Sequence, residues 1–138
     1  SRAEVGGGNE TILLVEDEPA VRAVTSTMLR RLGYRVIEAA DGPAALQKWA
    51  DHSREIDLLL SDMVMPKGLT GLELADMFRR SKPALGIVII SGYADEILKG
   101  AALQTAGVLL VAKPFEFSAL AAAIRQSLGS RAPDNRIA

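Results

Sequence analysis

The sequence has no cysteine and a single histidine, His52. The first absence excludes a disulfide scaffold, a thiol nucleophile, a cysteine-ligated zinc and an iron–sulfur site. The second excludes a multi-histidine metal centre and makes any Ser-His-Asp triad depend on one residue. An excess of charge of one sign is missing too. The 16 Lys and Arg residues meet 17 Asp and Glu, a net charge of −1, so no bulk pull toward nucleic acid or an anionic membrane is expected. No apolar run approaches the ~20 residues that span a bilayer, and no signal peptide is visible. A cytoplasmic location without membrane contact is the expectation.

What is present has globular composition: 138 residues, 49% hydrophobic and 24% charged, slightly less than one domain of ~150 residues. Residues 1–10, SRAEVGGGNE, carry three consecutive glycines and no periodicity, and read as a flexible linker. Residues 129–138 read as a flexible tail, leaving a folded domain over 11–128. Within it, apolar runs at Ile12–Val15, Val36–Ile37, Leu58–Leu60, Ile87–Ile90 and Val108–Val111 are continuous, as in strands covered on both faces.

Helical spacing separates these runs. Val21, Val24, Met28 and Leu32 form one expected apolar face, and Ala45, Leu46, Trp49 and Ala50 a second. Leu74, Ala75 and Phe78 form a third. A short fourth helix is expected around Ala94–Ala102, and Phe117, Leu120, Ile124 and Leu128 line a fifth. Gly33 is the expected stop of the first helix and Asp41 the N-cap of the second. Strands each followed by a helix imply an open parallel sheet with helices on both faces. Such sheets bind ligands at the carboxyl ends of their strands, where strand order reverses.

Those ends carry chemistry. The first strand runs into Glu16-Asp17-Glu18, the third ends in Ser61-Asp62, the fourth in Ser91-Gly92-Tyr93 and the fifth in Lys113-Pro114. Glu16, Asp17 and Asp62 therefore converge with a hydroxyl and an amine. Crowded carboxylates require raised pKa values or a cation. The donors are oxygens only, which favours Mg²⁺ or Ca²⁺, and no single segment has the closely spaced ligands of a calcium loop. Metal, ammonium and hydroxyl together suit phosphoryl transfer onto a carboxylate. An aspartate is ionised at neutral pH and needs no histidine base to act as the nucleophile.

Four blocks in this order, ILLVEDEPAVR, DLLLSDMVMP, VIISGYA and VAKPF, resemble the receiver domains of two-component response regulators, the CheY-like family, over about Glu10 to Leu128. The resemblance implies a doubly wound (βα)5, flavodoxin-like α/β fold with a five-stranded parallel sheet. It implies Asp62 as phospho-acceptor, Asp17 as direct metal ligand and Glu16 as its partner acid. The backbone carbonyl of Val64 would be a further ligand to Mg²⁺. Ser91 and Lys113 would follow the phosphoryl group, and Gly92 would admit the donor. The Lys113–Pro114 peptide would be cis.

The resemblance further implies a sensor histidine kinase or a histidine phosphotransfer domain as partner, no nucleic acid, and a monomer or weak homodimer. Phosphorylation would switch the region from the fourth strand through the fourth helix to the fifth strand. The sequence departs from the family in three places. Leu110 stands where an aromatic switch residue is common, MPKGLTG is one residue longer than the usual loop, and Glu16 replaces a frequent Asp. The opening GGGNETILLVEDE, the SGYA block and the longer loop resemble receivers fused to hybrid sensor histidine kinases, and the end soon after the fifth helix suits a C-terminal position in such a chain.

Other residues have structural readings. Glu18 complements the helix dipole. His52 is a solvated helix-end residue, Trp49 and the two methionines Met63 and Met65 are packing residues, and Arg30, Arg31, Arg79 and Arg80 are solvated helix faces. Three other readings compete with phosphotransfer. A degenerate receiver, acting as an interaction module without phosphotransfer, is opposed by the intact acids. An aspartyl phosphatase is opposed by Val64 and Pro19, which stand two residues after Asp62 and Asp17 where a general acid is needed. A mononucleotide site is opposed by acids that repel a bare phosphate.

Overall fold

The structure, a computed structural model, describes residues 7–92 and 107–129. Each apolar run forms a strand: β1 (Thr11–Val15), β2 (Arg35–Ala39), β3 (Ile56–Asp62), β4 (Gly86–Ser91) and β5 (Leu109–Ala112). The described helices are α1 (Pro19–Arg31), α2 (Gly42–His52), α3 (Gly71–Ser81) and α4 (Phe117–Gly129). The helix expected around Ala94–Ala102 lies outside the described residues, as does Tyr93.

All strand pairs are parallel, in the order β2-β1-β3-β4-β5. The continuous apolar runs are explained by the alternation of side chains across the sheet. Leu13, Val15, Leu59, Ile87 and Ile89 face α2 and α3, packing with Ala45, Leu74 and Phe78. Ile12, Leu14, Leu58, Leu60, Val88 and Ile90 face α1 and α4, packing with Leu29, Leu120 and Ile124. Trp49 closes the first core by stacking on Phe78, with ring centroids 4.3 Å apart. From β1 the chain runs outward to β2, then returns past β1 to β3. The carboxyl ends of β1 and β3 thus flank the point where strand order reverses, the expected crevice of such a sheet.

Local chemistry sets the element ends. Gly33 takes φ +102 after α1, a left-handed conformation that glycine adopts without a Cβ clash. Asp41 caps α2, its Oδ1 accepting from the Ala44 amide at 2.9 Å. Thr70 and Glu73 form a reciprocal capping box at the start of α3. Gly71 lets that start press on the end of β3, where a Cβ would lie 2.3 Å from the Asp62 carbonyl oxygen.

Two expectations are corrected. Of the expected apolar face of α1, Leu32 packs against the core, but Val21 and Val24 do not turn inward. The helix buries Ser26 and Leu29 and leaves Val21 39% and Val24 60% exposed. Its sheet-side neighbour explains this, because Glu38 on edge strand β2 is a half-buried carboxylate that needs polar partners. Ser26 Oγ donates to it at 2.8 Å, and Arg22 and Arg30 each stand 3.5 Å from it. Arg79 is not a solvated residue either. Its Nε and Nη2 donate to the Leu85 carbonyl at 3.2 and 3.1 Å, and Nη2 also reaches the Gly107 carbonyl at 3.1 Å. This guanidinium satisfies the Leu85 carbonyl of the turn from α3 to β4 and the Gly107 carbonyl ahead of β5.

Contacts of the domain begin before Thr11. The Gly8 amide donates to the Leu32 carbonyl, and Arg125 of α4 binds the Gly7 carbonyl and both carboxylate oxygens of Glu10.

Candidate functional site

At the carboxyl end of the sheet a cleft of about 840 Å³ is lined by Glu16, Asp17, Asp62, Val64, Gly92 and Lys113, among others. The turn after β1 supplies Glu16 and Asp17, the last position of β3 supplies Asp62, and the residue after β5 supplies Lys113. Adjacent parallel strands make these remote positions neighbours. One oxygen each from Glu16, Asp17 and Asp62 lies within 4.8 Å of the others. Lys113 Nζ stands 3.6 Å from Asp62 Oδ1.

Backbone bonds hold the frame. The Glu16 amide donates to Ala39 of β2, the Met63 amide to Ile90 of β4, and the Lys113 amide to Ser91 at 2.7 Å. Ser61 Oγ donates to the carbonyl oxygen of Asp62 at 2.9 Å. The Lys113–Pro114 peptide is cis. Met63 and Met65 are buried core residues, and His52 ends α2 paired with Glu55 at 2.9 Å, away from the cleft.

The electrostatics are those of an incompletely neutralised acid cluster. Glu16 and Asp62 are 4% and 5% exposed, whereas Asp17 is exposed. Burial pushes Glu16 up to about 7, helped by its hydrogen bond and charge contact with Asp62 and opposed by the Glu18 amide and Lys113. Burial likewise raises Asp62, with the Glu16 hydrogen bond and Lys113 pulling the other way. Asp62 Oδ1 is buried and has no hydrogen-bond partner. Three carboxylates, an orphaned buried oxygen and no nitrogen or sulfur donor suit a hard divalent cation.

Of the residues singled out from sequence, Glu16, Asp17, Asp62 and Lys113 meet in this cleft. Val64 lines its rim and is 60% exposed. Ser91 is fully buried at the end of β4, and the lining residues of that strand end are its neighbours Ile90 and Gly92. Leu110 is half-buried against the core under α2 and α3. Sequence reasoning gave no role to Arg22, whose Nη1 donates to the Glu16 carbonyl at 2.7 Å. Only its place six residues after Glu16, one turn into the helix, could have suggested that contact.

Known proteins are similar to this chain in sequence and in fold. The family model described as response regulator receiver domain matches residues 12–125. The sensor kinase CckA of Brucella abortus is 36% identical over 121 residues, which is 88% of this chain and 13% of that kinase. The crystal structure of the receiver domain from hybrid histidine kinase CckA is 39% identical with TM-score 0.71, covering 86% of this chain and 98% of that one. The response regulator protein TrrA of Thermotoga maritima, solved in complex with Mg²⁺-BeF, is 31% identical with TM-score 0.73, covering 86% and 99%. With its acids, lysine and sheet order arranged in this way, the chain belongs to the response regulator receiver domain family.

Proposed function

We propose that the chain is a phospho-accepting receiver in which Asp62 takes a phosphoryl group from a phosphohistidine on a sensor histidine kinase or a histidine phosphotransfer domain. The observation that carries this reading is the convergence of Glu16, Asp17 and Asp62 within 4.8 Å, with Lys113 3.6 Å from a buried, otherwise unpartnered Asp62 oxygen. In the transfer, an Asp62 carboxylate oxygen forms a bond to phosphorus while the P–N bond of the donor breaks. The electron pair of that bond returns to the imidazole.

Glu16, Asp17, Asp62 and the Val64 carbonyl are the proposed protein ligands of Mg²⁺. Bound there, Mg²⁺ supplies charge neutralisation to the oxygens of the transferring group. Lys113 exchanges its Asp62 contact for a phosphoryl oxygen, and the Ser91 hydroxyl turns toward the same group. That movement biases the region from β4 to β5, with Leu110 taking the place of an aromatic switch residue. The CckA resemblance supports a hybrid kinase as the parent chain. Val21 lies at the cleft rim and, with Val24, begins an exposed apolar face on α1, which supports a protein surface as the donor.

Incubation with acetyl phosphate and Mg²⁺ tests the reading by intact mass. One phosphoryl group is expected on the wild-type chain, and none on Asp62→Asn or in excess EDTA. Label that survives in Asp62→Asn would falsify it.

A further inference from the structure

We infer that Arg22 is a positioning residue for the acid cluster, holding the peptide unit between Glu16 and Asp17 and tying it to Glu38 on the edge strand. The inference rests on the proposed magnesium site. Rotation of that one peptide unit would swing both acids, and its carbonyl is the group that Arg22 Nη1 binds at 2.7 Å. A charge-assisted contact this short is among the stronger hydrogen bonds available to a backbone oxygen.

The far side of the guanidinium is anchored as well. Arg22 Nε lies 3.5 Å from Glu38 Oε1, and Glu38 Oε2 is held by Ser26 Oγ at 2.8 Å and by Arg30 Nη2 at 3.5 Å. The Glu16 amide donates at 3.1 Å to Ala39, the residue after Glu38. Two consecutive residues of β2 thus fix the Glu16 backbone, one through its N–H directly and one through its C=O by way of Arg22. Arg22 binds the Glu16 carbonyl through Nη1 while its Nε stands 3.5 Å from Glu38, two separate donor nitrogens of one rigid group that a lysine cannot copy.

Charge and geometry predict opposite signs for its removal. Arg22 is a cation beside a cation site, so loss of its charge alone would tighten Mg²⁺ binding. Loss of its hold on the peptide would weaken it, because partners that orient ligands contribute on the order of 10–100-fold to metal affinity. The test is calorimetric titration of Mg²⁺ into the wild-type chain and variants, with melting in EDTA measured alongside. Arg22→Gln is expected to raise the Mg²⁺ Kd about tenfold or more, and Arg22→Lys to fall between it and wild type. Glu38→Gln should act in the same direction by less, and add little in the double variant because the two residues share one linkage.

Arg79→Gln removes a similar guanidinium brace at the opposite end of the sheet. It should lower the Tm and leave the Kd unchanged. An unchanged or tighter Kd in Arg22→Gln overturns the inference, and so does equal weakening in Arg79→Gln, which would trace the effect to general destabilisation. Absence of Mg²⁺ binding by the wild-type chain would instead remove the magnesium site itself, and this inference with it.

Discussion

Glu16 and Asp62 are two buried acids that share a hydrogen bond, and that pairing has a consequence for stability. An unfolded glutamate titrates near its ordinary 4.5, while folding raises Glu16 to about 7, chiefly by burial. Between those values the folded chain binds more protons than the unfolded one. Metal-free stability therefore falls as pH rises from about 4.5 to about 7 and levels off above. Asp62 is shifted in the same direction and adds to the slope. Melting in EDTA at a series of pH values should show Tm decreasing over that window. Glu16→Gln, which keeps the hydrogen-bonding shape without the charge, should flatten the decrease and raise the Tm at pH 8. Because Mg²⁺ displaces the same proton, its affinity should climb with pH across this interval. A metal-free Tm that rises from pH 5 to 7 would sink the assignment of a shared, desolvated proton.

Among the elements, α3 bears most directly on the site. Its first amide, Gly71, donates to the Met63 carbonyl at 2.9 Å, so the helix start anchors the loop that follows Asp62. The Thr70–Glu73 capping box satisfies donors that the first turn would otherwise leave open. Thr70→Ala removes one half of it and should cost about 1 kcal/mol. Urea denaturation should show the lower midpoint, and hydrogen exchange should show faster loss of protection at the Gly71 amide than in β1. Equal protection changes in the two elements would mean that the cap supports the whole fold and not this corner. Helix α1 teaches a different lesson about elements. Apolar spacing alone puts Val21 and Val24 inside, yet the carboxylate of Glu38 draws Arg22 and Ser26 inward and turns the valines out.

At the scale of the molecule, two cores share one sheet, and β3 lies at its centre with residues 58–61 fully buried. Leu59→Ala opens a cavity in the face under α2 and α3 and should cost ~2–5 kcal/mol, a large part of the ~5–15 kcal/mol that holds a domain together. Saturating Mg²⁺ at about 100 times its Kd should return about 2.7 kcal/mol to wild type and variant alike. Urea titrations with and without Mg²⁺ check both numbers, and a smaller return in the variant would mean that the core and the acid cluster are coupled. The alternation of strand and helix, the strand ends and the acids Glu16, Asp17 and Asp62 were legible in the sequence, because a parallel sheet covered on both faces leaves a local hydrophobic record and sends every carboxyl end to one edge. Gly33 and Asp41 were legible too, since caps and stops act within a few residues. The inward turn of Arg22, the bracing of α3 by Arg79, the outward face of α1 and the full burial of Ser91 were not. Each depends on a partner such as Glu38, Leu85 or Gly107 that lies nearby only after the sheet has formed, and whether a polar side chain is buried is decided by the group that receives it.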